Sequence, residues 1–233
     1  MTRQNTSSAV MAQRCEPIGS LDYFPTPPWA TRALMEHVIA DVRGKYVWEP
    51  ACGEGHMAGV LAEYLSQVYA SDVHDYGIGA AIGSFVGVGP DVAEAPGRPD
   101  WIITNPPFNL AVAFAERALH LAGEGVALLV RTAWLEGGDR WHRLFRDCPP
   151  TIVAQFAERV PMTKGRWDPD ASTATSYCWV VWRRAAECKW DSNSRLVWIP
   201  PGCRERLTKP SDRARWAVKS IDANQDMLEV PNA

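Results

Sequence analysis

The 233-residue sequence lacks long apolar runs, closely paired cysteines and any marked excess of charge of one sign. No uncharged stretch approaches the ~20 apolar residues that a bilayer-spanning helix requires. The stretch 76–90 is uncharged but carries five glycines. The six cysteines (Cys15, Cys52, Cys148, Cys178, Cys188 and Cys203) include no pair with a two-residue spacer. That excludes a zinc knuckle and a dense disulfide framework, so no metal site is expected and a reducing cytoplasm is the expected compartment. Residues 1–20 are polar, lack the apolar core of a secretory signal and read as a disordered leader. At 46% apolar and 22% charged residues, the chain has the composition of a globular protein rather than a disordered or coiled-coil one.

The formal charge of −3 conceals an asymmetry. Residues 131–215 hold 16 Lys and Arg against 10 Asp and Glu, whereas the remainder holds 8 against 17. The second half is therefore where a polyanion could be held, although a solvated surface would have the same composition. Eleven tryptophans are many for this length. Most should be core packing, with a minority available to stack on a base.

Hydrophobic periodicity predicts helices over 28–40, 56–65, 110–121 and 134–147. Short apolar runs predict strands at 46–48, 68–71, 101–104 and 126–130, with 151–156 and 176–182 extended and a weak strand near Phe85-Val86. Alternation at this spacing argues for an α/β fold with a largely parallel sheet covered on both faces. Residues 21–203 are expected to form one domain. The stretch 204–233 reads as a charged tail with one helix near 212–220.

In such a sheet, ligands bind beyond the carboxyl ends of the strands. Three unusual segments fall there: Glu49-Pro50-Ala51-Cys52-Gly53-Glu54-Gly55, Asp72, and Asn105-Pro106-Pro107-Phe108. Gly53 and Gly55 permit close backbone approach to a ligand, and Asp72, about 20 residues on, sits where a carboxylate can accept both hydroxyls of a ribose. Glu49 and Glu54 put negative charge where a diphosphate would lie, which favours a nucleoside. Asn105 and a proline carbonyl can converge as two acceptors on one amino group, with Phe108 offering a flat face. Taken singly, a ligand-free tight turn, a helix-capping Asp72 and a Pro-terminated strand with an Asn cap are the alternatives.

Taken together, these segments resemble the motifs of class I S-adenosylmethionine-dependent methyltransferases. The similarity is greatest to the adenine-N6 DNA type found as stand-alone enzymes in phages and prophages. Asp22-Tyr23-Phe24-Pro25-Thr26-Pro27-Pro28 resembles the motif before the first strand that contacts the methionine end of the cofactor. The 49–55 segment is similar to the cofactor loop, Asp72 to the ribose-binding acid and Asn105-Pro106-Pro107-Phe108 to the catalytic tetrapeptide. The likeness runs from about residue 22 to 182.

The resemblance implies a Rossmann-like seven-stranded, mostly parallel sheet flanked by helices. It implies S-adenosyl-L-methionine held by Thr26, Pro27, Glu49, Pro50, Ala51, Cys52, Gly53, Gly55 and Asp72. It further implies methyl transfer to an exocyclic amino nitrogen, gripped by Asn105, Pro106, Pro107 and Phe108, without an activating base or metal. Where the family places an acid against the cofactor adenine, this sequence offers Gly83-Ser84-Phe85 or Asp91, and both stay open. The implied partner is DNA, single-stranded or with a flipped base. Its phosphates would meet Arg140, Arg143 and Arg146 on the helix after Trp134, and Lys164 and Arg166 in a lid-like loop over 158–175. No large insertion is available for a target-recognition domain. RNA adenine or protein-glutamine methylation, and a catalytically silent cofactor-binding module, are the competing readings.

Overall fold

A computed structural model describes residues 22–87, 92–184 and 193–217. Pro28, at the first helical position, starts α1 (Pro28–His37), where its fixed φ is favourable and its missing N–H costs nothing. The chain then alternates: β1 (Tyr46–Glu49), α2 (His56–Leu61), β2 (Gln67–Asp72), β3 (Ala81–Ile82), β4 (Trp101–Thr104), α3 (Ala111–Leu121) and β5 (Gly125–Arg131). A short 3-10 turn (Thr132–Leu135), a one-turn helix α4 (Gly138–Arg140) and a π-helical segment (Trp141–Phe145) follow. The chain continues through β6 (Ile152–Phe156), β7 (Tyr177–Arg183), β8 (Arg195–Ile199), α5 (Cys203–Leu207) and α6 (Pro210–Trp216).

The strands form a single sheet in the order β3-β2-β1-β4-β5-β7-β6-β8. All pairings are parallel except those of β7, which runs antiparallel between β5 and β6. Among the described residues the sheet thus has eight strands rather than the seven expected. The extra one, β8, lies parallel to β6 at the edge. Its residues alternate only weakly, with Leu196 and Trp198 exposed, so it gave little periodic signal.

Period-two alternation sorts the strand residues between two cores. Val47, Ile103, Ala127, Leu129, Trp179 and Val181 face α1, α2 and α5. Trp48, Ile102, Val126, Leu128, Val180 and Trp182 face α3 and the 141–145 segment. Burial of both faces explains why these strands read as nearly continuous apolar runs. The tryptophans behave mainly as core: the indole N–H groups of Trp48, Trp179 and Trp182 donate to Ser71 Oγ (2.9 Å), the Ala30 carbonyl (3.2 Å) and the Cys148 carbonyl (2.9 Å). Trp141 and Trp198 remain exposed.

Two local expectations are corrected. The strand near Phe85 lies instead at β3, because Phe85 is a core residue, packed edge-on against Trp48 at 5.0 Å and against Phe114 at 4.8 Å. The continuous helix over 134–147 is broken at Gly137, whose φ of 120° no helix accommodates. The stretch read as a charged tail carries α5 and α6, and Asp212 of α6 is buried in a two-oxygen contact with Arg32 (2.6 and 2.7 Å). Arg32 also binds both oxygens of Glu63, at 2.8 and 2.6 Å, and the Leu207 carbonyl at 2.7 Å. The leader 1–20, Asp91 and the rest of the tail lie outside the described residues. Among the described residues no helix is long and apolar enough to cross a membrane.

Candidate functional site

Because β2, β1 and β4 are neighbours and parallel, their carboxyl ends bring Asp72, the 49–55 loop and Asn105 side by side. A cleft of about 800 Å³, open at its mouth, lies over these ends. Of the residues expected from the sequence, Thr26, Glu49, Pro50, Ala51, Cys52, Asp72, Asn105 and Pro107 line it. Ser84 lines it too, where an adenine contact was left open. Pro27 does not; it faces a separate groove with Trp29 and Pro210. Gly53 and Gly55 form the turn rather than the wall.

The turn is built around Asp72. One carboxylate oxygen accepts the Gly53 N–H at 2.9 Å and the other accepts the His74 N–H at 3.1 Å. Asp72 is therefore a loop organiser as well as a cleft residue, and carboxylate oxygens retain further lone pairs for a ligand. Gly53 adopts φ of 52°, and any Cβ there would collide with the Tyr23 ring. The close approach of Tyr23 is thus the reason for glycine at 53.

Residues 22–24 tie the two halves of the site together. Tyr23 stacks obliquely on Tyr76 at 4.8 Å, and its hydroxyl accepts the Glu54 N–H at 3.4 Å. Phe24 offers its carbonyl to the Asn105 Nδ2 at 2.8 Å. Asp22 accepts the Phe108 N–H at 2.6 Å. The 158–175 loop closes on the same region: Gly165 donates its N–H to the Tyr23 carbonyl at 2.9 Å, and Met162 Sδ lies 3.8 Å from the Asn105 Nδ2.

Three buried polar atoms on the cleft residues have no partner among the described residues: Asn105 Oδ1, Glu49 Oε2 and His56 Nε2. Burial pushes the Glu49 carboxyl well above the usual range; the Ala58 N–H opposes this and the Asp72 charge adds to it. Burial, aided by Arg215, pulls His56 down to about 4, so its imidazole is neutral near pH 7. Burial, then Glu49 and Asp72, push the Cys52 thiol up, which leaves it unreactive.

His56 was not foreseen as a site residue. The ring stacks on Trp216 of α6 at 5.5 Å, and the only sequence signal was its place directly after Gly55. Tyr76, also not foreseen, and Phe85, from the Gly83-Ser84-Phe85 segment offered for the adenine contact, join the cleft wall.

In the tetrapeptide, Pro107 gives its carbonyl to the Leu110 N–H at 2.9 Å, whereas the Pro106 carbonyl accepts no bond among the described residues. Phe108 is not on the cleft wall but packs against Phe24 at 5.2 Å, with the Arg131 guanidinium 4.2 Å from its ring centre.

The five expected phosphate cations lie elsewhere, and none lines the cleft. Arg143 pairs with Glu116 at 2.6 Å and Asp139 at 3.5 Å, Arg146 with Asp147 at 2.8 Å, and Arg166 with Asp168 at 3.8 Å. Arg140 donates to the Glu136 carbonyl. Lys164 also makes an interaction within the chain.

No protein-family model matches the chain, and no curated protein matches it by sequence. Solved structures do match it. The M protein of the type I restriction enzyme EcoKI superposes with a TM-score of 0.54 at 12% identity, over 78% of this chain and 49% of that one. A type I restriction-modification methyltransferase subunit from Streptococcus thermophilus gives 0.51 at 9% identity, over 82% and 52%. The chain has the class I methyltransferase fold. It spans about half the length of these two relatives in structure.

Proposed function

We propose that the chain transfers a methyl group from S-adenosyl-L-methionine to an exocyclic amino nitrogen, with N6 of adenine in DNA as the acceptor. The observation that carries this reading is the buried, unpartnered Asn105 Oδ1, which borders the same cleft as Glu49 and Asp72. A buried acceptor without a donor is costly, and a ligand amino group would supply the missing bond.

The cofactor fits the residues present. A cationic amino group would satisfy the orphaned Glu49 Oε2 and favour the ionised form of a carboxyl that burial pushes toward its neutral form. Asp72 would hold the ribose hydroxyls, and Thr26 would lie by the methionine end. When bound, the cofactor supplies an electrophilic methyl group.

The remaining work falls to the chain itself. An exocyclic adenine nitrogen is a poor nucleophile because its lone pair is delocalised into the ring. Hydrogen bonds from the NH2 group to Asn105 Oδ1 and the Pro106 carbonyl favour a tetrahedral nitrogen and aim its lone pair. That is positioning combined with electrostatic stabilisation of the charge that develops. A base within a duplex cannot reach this site, so it must be extruded or already single-stranded, with Phe108 as the stacking surface.

The test is incubation with radiolabelled cofactor and, separately, plasmid DNA, RNA and a cell lysate. Label in N6-methyladenine of the DNA is the expected result. Label confined to RNA or to protein would transfer the reading to that acceptor, and no label in any of the three would remove the activity.

A further inference from the structure

Arg131 is the last residue of β5 and is exposed. It lies three strands from Asp72 in the sheet order and beside the end of β4, from which Asn105 emerges. Its guanidinium lies 4.2 Å from the centre of the Phe108 ring. Aromatic rings stack with centres roughly 4.5–7 Å apart, so the guanidinium occupies the space that a base stacked on that face would need. Phe24 and Tyr177 already crowd the same ring, at 5.2 and 6.4 Å. A planar acceptor must therefore displace Arg131 to reach Phe108.

The charge of Arg131 is also unspent. Its strand partner is Tyr177, with whose hydroxyl it interacts electrostatically, and it forms no ion pair with a carboxylate among the described residues. The three arginines near it in sequence that had read as a phosphate-binding face are engaged: Arg143 and Arg146 by carboxylates, and Arg140 by a backbone carbonyl. A phosphate arriving there would compete with Glu116 or Asp147; one arriving beside Asn105 would meet a guanidinium that lies over a ring and in salt-bridge contact with no carboxylate among the described residues. An exposed cation–π contact is weak enough to be exchanged for a charge-assisted hydrogen bond.

We propose that Arg131 is the residue that selects a nucleotide acceptor: it covers Phe108 as the structure shows and, when the base stacks there, swings off the ring to bind the phosphate flanking that base. The proposal rests on the amino-nitrogen reading above. It adds that the acceptor is recognised through one neighbouring phosphate, and that the cation doing so is not on the 138–146 segment.

The probe is a pool of single-stranded 12-mers with one central adenine between mixed C, G and T positions. The linkages on either side of the adenine are made phosphodiester or, one at a time, neutral methylphosphonate. For the unaltered protein, one of the two neutral linkages should lower kcat/KM about tenfold, as loss of a charge-assisted bond does. Arg131→Ala should lower kcat/KM on the all-phosphodiester pool by a similar factor and then show no further loss with that methylphosphonate. Such non-additivity marks a direct contact. The salt slope of KM should fall by about 0.7 in Arg131→Ala. Arg131→Lys should recover part of the activity, while Arg143→Ala with Arg146→Ala should leave the slope unchanged. Cofactor affinity, read by calorimetry, should match the unaltered protein in every variant and serves as the check on folding. Penalties that add in full, or an Arg131→Ala variant as active as the parent, would overturn the role of Arg131 alone. A parent protein that binds cofactor yet methylates no member of the pool would overturn the nucleotide reading and this proposal with it.

Discussion

The side-chain amide of Asn105 donates through Nδ2 to the carbonyl of Phe24 at 2.8 Å, and this bond decides which end of the amide faces the cleft. A carbonyl can only accept, so the nitrogen must point at Phe24 and the oxygen is left for a donor. Asn105→Ala removes that acceptor without touching the 49–55 loop. Cofactor binding measured by calorimetry should change less than about threefold, whereas methyl transfer should fall at least ~100-fold, the scale on which loss of one aligned transition-state hydrogen bond is felt. Equal loss of both would mean that Asn105 holds the fold rather than the acceptor.

Asp72 carries two duties, and they can be separated. Asp72→Asn keeps one oxygen for the Gly53 or His74 N–H but loses the charge. Cofactor affinity should drop about 10- to 100-fold, the worth of one to two charge-assisted bonds, with the melting temperature little altered. Asp72→Ala should lower both. An Asn variant with full affinity would leave Asp72 as a turn residue only.

Glu49 makes the site pH-sensitive. Its folded-state pKa is raised, chiefly by burial, above the ~4.3 of an unfolded chain. The folded state therefore binds the proton more tightly. This contribution to stability is complete below about pH 4.3 and is lost as pH rises through the folded value. Glu49→Gln should remove the loss, so the melting temperature of the variant relative to the parent should increase from pH 5 to pH 8. Taking the difference cancels His56, which titrates in the acid range in both proteins. Cofactor affinity should run the other way: rising with pH in the parent as the carboxyl ionises, low and flat in Glu49→Gln. A parallel pH dependence in the two proteins would show that Glu49 does not titrate with the cofactor.

Arg32 is buried between Asp212 and Glu63, so removing one partner strands a charge away from water. Asp212→Ala should cost about 3–5 kcal/mol in chemical denaturation, the range for breaking a buried ion pair. It should also free α6, whose Trp216 stacks on His56. A loss under 1 kcal/mol would mean that Glu63 and the Leu207 carbonyl suffice to hold Arg32.

The central parallel strands β1, β4 and β5 were legible because both of their faces are buried, which leaves short apolar runs. The helix over 28–37 was legible because Pro28 fixes its start. β8 was not: Leu196 and Trp198 are exposed at an edge, and the run carries no alternation to read. β3 was placed four residues late because Phe85 is apolar for packing, not for pairing. In the site, the residues set by backbone chemistry could be read, since Gly53, Asp72 and the two prolines restrict what the chain can do locally. His56 and Tyr76 could not, because they reach the cleft only through tertiary packing. The pairing of the arginines of the 138–146 segment was hidden for the same reason: a sequence displays charge but not the carboxylate, such as Glu116 27 residues from Arg143, that meets it.

Residues 22, 23 and 24 give one consecutive grip to each segment around the cleft, with Asp22 on Phe108, Tyr23 on Glu54 and Phe24 on Asn105. Neighbouring residues cannot move independently over so short a span. A donor-side ligand that firms up Tyr23 also reduces the play of Asn105, so filling one half of the cleft prepays part of the ordering cost of the other, and the two substrates should bind with positive cooperativity even though neither touches the other's walls.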